Sequence, residues 1–148
     1  MDNKSYQDFF FKKAKSEGYR SRSAFKLIEI DKKFKILKNG IKLLDLGSSP
    51  GGWCQVAAKK NKNGKILGID IKKVEKISGV KFLNGDFLDD KSKNAIKEYF
   101  HTKIDVIISD MAADTTGIKD LDSIRTNLIC LEVLDFSSKL LNSSGNLV

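Results

Sequence analysis

From residue 41 onward short apolar runs alternate with helical stretches, and this alternation restricts the fold more than any other feature. Residues 41–46 (IKLLDL), 65–70 (KILGID), 80–83 (VKFL) and 104–109 (IDVIIS) have strand length and are rich in Ile, Leu and Val. Residues 53–60, 89–100 and 123–141 suit helices, with Asp122 and Ser123 placed to cap the last. Parallel strands need crossover connections, and helical crossovers cover both faces of the sheet. The reading is therefore an α/β fold with a mostly parallel sheet, whose ligands bind beyond the carboxyl ends of the strands. Residues 145–148 read as a turn into a fifth strand that barely begins, so the last strands of the sheet are expected to be missing.

Residues 1–40 differ from the rest. Ser5 is placed to cap a helix over 7–16 that stops near Gly18. A second helix follows Ser21 or Ser23, with Ala24, Leu27, Ile28, Phe34 and Leu37 at helical spacing, and Asn39-Gly40 ends it. The 148 residues make one domain: a basic helical segment (1–40) and a ligand-binding sheet (41–148). The net charge of +8 is concentrated, because residues 1–42 carry 12 Lys/Arg against 5 Asp/Glu while residues 43–148 carry 15 against 14. An anionic partner facing the N-terminal segment is implied.

The cysteines, Cys54 and Cys130, lack metal-site or disulfide spacing, and the single histidine, His101, has no ligand set around it. No metal is expected. One Pro and no apolar run near the roughly 20 residues of a membrane span exclude a membrane partner. Residues 1–15 show no signal or transit peptide, so the expected location is cytoplasmic, with an organelle as the eukaryotic alternative.

The turn after the first run is Asp45-Leu46-Gly47-Ser48-Ser49-Pro50-Gly51-Gly52-Trp53. Glycines there permit a tight turn and close approach of a ligand to backbone. No Lys follows Gly52, which excludes a P-loop, and the G-x-G-x-x-G of dinucleotide sites is absent. Each of the four runs also delivers an acid toward one edge: Asp45, Asp70, Asp86 and Asp110. Asp70, about 20 residues past the turn, suits a ribose diol. Clustered carboxylates repel polyphosphates but suit a ligand with a sulfonium, an ammonium and an adenine amino group. S-adenosylmethionine has all three.

Four stretches together resemble the FtsJ-type ribosomal RNA 2′-O-methyltransferases: Gly18 to Leu27 (GYRSRSAFKL), Asp45 to Trp53, Asn84-Gly85-Asp86-Phe87 and Ser109-Asp110-Met111-Ala112. The resemblance implies a Rossmann-like S-adenosylmethionine-dependent methyltransferase fold. It also implies that Gly47, Gly51, Gly52 and Trp53 contact the cofactor, with Asp70 at the ribose, Asp86 at the adenine and Asp110 at the methionine end. Lys26 and Asp110 match two members of the family's Lys-Asp-Lys-Glu catalytic set. The second lysine and the glutamate are not in this sequence, so a longer chain is expected to complete the set. Ala113 and Asp114 depart from the family's D-M-A-P-N, adding a negative charge near the substrate.

Methyl transfer needs the two reactants in line and a means of relieving the charge that develops on the attacking 2′-oxygen. Lys26, as an ammonium, suits that role, and Asp110 suits orienting it. Arg20, Arg22, Lys12 and Lys13, with Lys15, Lys32, Lys33, Lys35 and Lys38, suit RNA phosphates. The resemblance implies ribosomal RNA as the partner, with a uridine of the large subunit as the target, and a monomer is expected. A transfer RNA substrate, a non-catalytic RNA-binding module of the same fold and a nicotinamide-dependent oxidoreductase are the competing readings. Cys54 reads as a small packing residue, and Arg125 as either an RNA contact or a support for the loop from 113 to 121.

Overall fold

Five strands form one all-parallel sheet in the order β3-β2-β1-β4-β5. They are β1 (Lys42–Leu46), β2 (Lys65–Asp70), β3 (Val80–Asn84), β4 (Ile104–Ser109) and β5 (Leu141–Leu147). The helices are α1 (Asn3–Ser16), α2 (Ala24–Phe34), α3 (Gly52–Lys60), α4 (Asp90–Phe100) and α5 (Lys119–Leu140). The computed structural model describes the backbone of residues 3–148 and side chains from residue 7 onward; the cap read at Ser5 lies outside the described side chains. Among the described residues no helix is long and apolar enough to cross a membrane.

Side-chain alternation divides the core in two. Leu43, Ile66, Val106 and Ile108 face one side, packed with Ala24 and Leu27 of α2 and with Trp53, Val56 and Ala57 of α3. Leu44, Leu46, Leu67, Ile69 and Ile107 face the other, against Ile96 and Phe100 of α4 and Val133, Phe136 and Leu140 of α5. The three central strands, β1, β2 and β4, are largely apolar on both faces, as a sheet covered by helices on both sides requires. The chain runs outward from β1 in both directions, to β2 and β3 on one side and to β4 and β5 on the other. At such a switch point the carboxyl ends of neighbouring strands open into a crevice.

Three boundaries differ from the sequence reading. α2 ends at Phe34, not near Leu37, because Lys35 takes a left-handed conformation (φ 52°) and the Asp31 carboxylate accepts the Leu37 amide at 2.7 Å. Ile36 and Leu37 are thereby turned into the core as irregular chain. α5 begins at Lys119, four residues early, so Asp122 lies inside its first turn instead of capping it. Its carboxylate accepts the amide and hydroxyl of Thr116 (2.8 and 2.7 Å), holding the preceding loop and keeping Asp122 more acidic than an ordinary aspartate. β5 starts at Leu141, directly after α5, and bulges: Leu141 is opposite Ile104 but Asn146 is opposite Val106. The turn read at 145–148 is the second half of this strand.

Candidate active site

The carboxyl ends of β1, β2, β3 and β4 border a cleft of about 770 Å³ lined by Gly47, Ser49, Asp70, Asp86, Asp110 and Met111 among others. Each lining acid follows from its position at the end of a strand, where the chain turns and the side chain leaves the core. Asp70 accepts from the Ser49 amide at 2.9 Å and the Lys72 amide at 2.8 Å, so one carboxylate fixes both the glycine turn and the chain leaving β2. Asp86 accepts the Leu88 amide at 2.9 Å through Oδ1. Gly47 takes φ +77°, and a Cβ there would lie 2.1 Å from Met111 Cγ, so this position needs glycine for both conformation and space.

A second opening, of about 400 Å³, lies on the α1–α2 side and is lined by Gln7, Phe10, Arg22, Ser23, Phe25, Lys26, Glu29 and Asp110. Lys26 Nζ donates to Asp110 Oδ1 at 2.5 Å and stands 5.9 Å from the centre of the Trp53 ring. Asp110 lines both openings. It also lines a polar cavity of about 50 Å³ between them, together with Ser21, Ser23, Asp45, Gly47 and Trp53. The two residues read as catalytic therefore meet where the acidic cleft approaches the groove on the α1–α2 side.

Other site residues sit differently. Asp45 does not reach the cleft: it is buried beneath the glycine turn, where its Oδ2 accepts the Cys54 thiol at 3.1 Å. Burial, reinforced by the negative charges of Asp110 and Asp70, raises its pKa to about 7, and burial beside Asp45 pushes the Cys54 thiol up. Ser48, buried alongside, has a hydroxyl with no hydrogen-bond partner among the described residues. Trp53 is 5% exposed and donates Nε1 to the Ser23 carbonyl at 2.8 Å, which joins α3 to the start of α2. Gly51 and Gly52 lie outside the large cleft; a Cβ on Gly52 would meet Ser21 Oγ at 2.2 Å.

Of the four residues assigned to phosphate, Lys12 and Arg22 are exposed. Lys13 pairs with Glu17 at 4.0 Å and lies over Phe25. Arg20 sits differently from the other three: its guanidinium donates to the carbonyls of Pro50, Glu75 and Lys76. Arg125 lines the cleft, as do Lys72, Leu128 and Ile129, which the sequence reading did not single out. Their contribution comes from a loop and a distant helix, and no local spacing announces it. Among the described residues no group of His, Cys, Asp or Glu could hold a metal.

The model of the FtsJ-like methyltransferase family matches residues 19–148. Over nearly the whole chain, the sequence is 47% identical to a ribosomal RNA large subunit methyltransferase E of Pelagibacter ubique, covering 99% of this chain and 72% of the relative. It is 44% identical to the protein of the same name in Rickettsia akari, covering 95% of this chain and 65% of that one. The chain thus spans about two thirds of its relatives' length. A crystal structure from Plasmodium falciparum, described as a ribosomal RNA methyltransferase, superposes with a TM-score of 0.81 at 37% identity over 87% of this chain and 76% of that one. On the shared fold, the matched motifs and this identity, the chain belongs to the FtsJ-like methyltransferase family.

Proposed function

We propose that the protein transfers a methyl group from S-adenosylmethionine to a ribose 2′-hydroxyl of large-subunit ribosomal RNA, with a uridine as the target. The observation that carries this reading is the Lys26–Asp110 pair at the junction of the acidic cleft and the groove beneath α1 and α2. The donor set fits the cofactor: Asp70 and Asp86 offer carboxylates to a ribose diol and an adenine amino group, and Asp110 offers one to the methionine end. When bound, the cofactor supplies an electrophilic methyl group.

The residues of the chain do the rest. Asp110 holds the Lys26 ammonium at 2.5 Å, and the nearby face of Trp53 favours the same cation. Held there, the ammonium stabilises negative charge growing on an attacking ribose oxygen, and the pair orients that oxygen toward the cleft. Phe10 lines the same groove beside the buried Phe25, and the exposed Arg22 offers a phosphate contact.

Calorimetric titration with S-adenosylhomocysteine tests the cofactor half: saturable binding is expected, weakened by Asp86→Ala. Well-folded protein that binds none would exclude the reading. Transfer of tritiated methyl groups to ribosomal RNA, followed by alkaline hydrolysis to detect protected 2′-O-methyl linkages, tests the other half. Lys26→Met is expected to lower transfer roughly 10²-fold and to leave S-adenosylhomocysteine affinity within about twofold.

A further inference from the structure

Arg20 lies between α1 and α2, within the basic segment, yet its side chain is directed into the fold and is only 23% exposed. Nη1 donates to the Pro50 carbonyl at 3.2 Å and the Glu75 carbonyl at 2.8 Å, and Nη2 to the Lys76 carbonyl at 3.0 Å. Its backbone is fixed as well: the Arg20 amide donates to Gln55 Oε1 at 2.8 Å, while Gln55 Nε2 donates to the Gly18 carbonyl at 2.9 Å. The nearby Glu75 carboxylate, 4.0 Å away and almost fully exposed, adds little.

The partners of the guanidinium belong to two segments. Pro50 is in the glycine turn, and Glu75 and Lys76 are in residues 71–79, a connection without helix or strand. Both segments form walls of the cleft, Ser49 and Pro50 from one and Ile71 and Lys72 from the other. Asp70 joins the same two segments from the cleft side, through the Ser49 and Lys72 amides. Gly51 completes the arrangement: a Cβ there would lie 3.1 Å from Arg20 Nη1 and 2.9 Å from Ile77 Cδ1, at φ +111°. In this structure glycine at 51 makes room for the arginine.

We propose that Arg20 is a positioning residue for the cofactor, tying the glycine turn to residues 71–79 so that Asp70 and the cleft walls keep a fixed spacing. The proposal rests on the cofactor reading above. Arg20 then acts through backbone and touches neither cofactor nor RNA. The planar fork spreads these donors over two nitrogens, a span that the single ammonium of lysine does not reproduce.

Titration of Arg20→Gln and Arg20→Lys with S-adenosylhomocysteine tests this. Both variants are expected to bind about tenfold more weakly, as loss of charge-assisted hydrogen bonds implies. Amide hydrogen exchange across residues 71–79 should accelerate in both, and the salt dependence of RNA binding should not change. Ile104→Ala, destabilised in the core at the amino end of β4, on the far side of the sheet from the clamp, should keep its affinity for S-adenosylhomocysteine, which separates positioning from general loss of stability. Unchanged affinity in both arginine variants would overturn the proposal. So would an RNA salt slope reduced by about 0.7 in Arg20→Gln with affinity unchanged, the mark of a phosphate contact. Should Arg20→Gln fail to fold, Arg20→Lys decides. If the wild-type chain binds no S-adenosylhomocysteine, the methyltransferase reading falls separately, and unaltered exchange at residues 71–79 would then refute the clamp itself.

Discussion

Asp45 shows what burial does to a single carboxyl. Its ordinary pKa of 3.8 rises to about 7 because the ionised form loses its hydration beneath the glycine turn, with Asp110 and Asp70 adding repulsion. The folded state therefore binds a proton that the unfolded chain has released. Stability from this residue is fully present below about pH 4 and is lost as pH rises toward 7. Asp45→Asn removes the titrating group, so its stability relative to wild type should improve between pH 5 and pH 8 by roughly 2–3 kcal/mol. Urea denaturation at the two pH values measures this, and a pH-independent difference would contradict it. Asp31 is the contrasting case. It is also buried, but Lys60 pairs with it and the Leu37 amide donates to it, so the charge has partners. Asp31→Ala is expected to cost roughly 2 kcal/mol, chiefly by leaving the buried Leu37 amide without an acceptor, since the half-exposed Lys60 regains water.

At the scale of elements, helix ends and exposed faces hold the differences from simple periodicity. Lys35 and His101 end α2 and α4 in left-handed conformations that non-glycine side chains disfavour. Lys35→Gly is expected to raise stability by about 0.5 kcal/mol, the relief of strain exceeding the added backbone entropy of the unfolded chain. α5 is apolar on two sides. Val133, Phe136 and Leu140 are buried, whereas Leu121, Ile124, Leu128, Leu131 and Leu134 are exposed. Leu131 is 61% exposed, so Leu131→Lys should change stability by less than about 0.5 kcal/mol, while Val133→Ala should cost about 2 kcal/mol. Thermal denaturation of the two variants separates the faces.

At the scale of the whole molecule, the charge imbalance becomes a division of labour between a basic helical surface and a sheet edge bearing acids. RNA affinity should fall by about 0.7 log units per log unit of salt for each phosphate neutralised on a single strand. Replacing both Lys12 and Lys15 with Gln should lower that slope by about 1.4 if each meets one phosphate; filter binding over a salt series gives the value. Much of this molecule was legible in the chain. Parallel strands buried on both faces need continuous apolar runs, and strand ends expose polar side chains, so β1 to β4 and the placing of Asp70, Asp86 and Asp110 follow from local composition. The motif around Lys26 was legible only as a resemblance, because nothing local joins residue 26 to residue 110. What the sequence by itself determined is the succession of strands and helices through β4 and the placing of Asp70, Asp86 and Asp110 at one edge. Tertiary structure alone decided that Lys26 meets Asp110, that Asp45 is buried against Cys54, and that Arg20 turns inward to three carbonyls. The physical reason is that periodicity records whether a side chain faces core or water, whereas a partner distant in sequence is chosen by packing, hydrogen-bond geometry and the local dielectric once the sheet has formed.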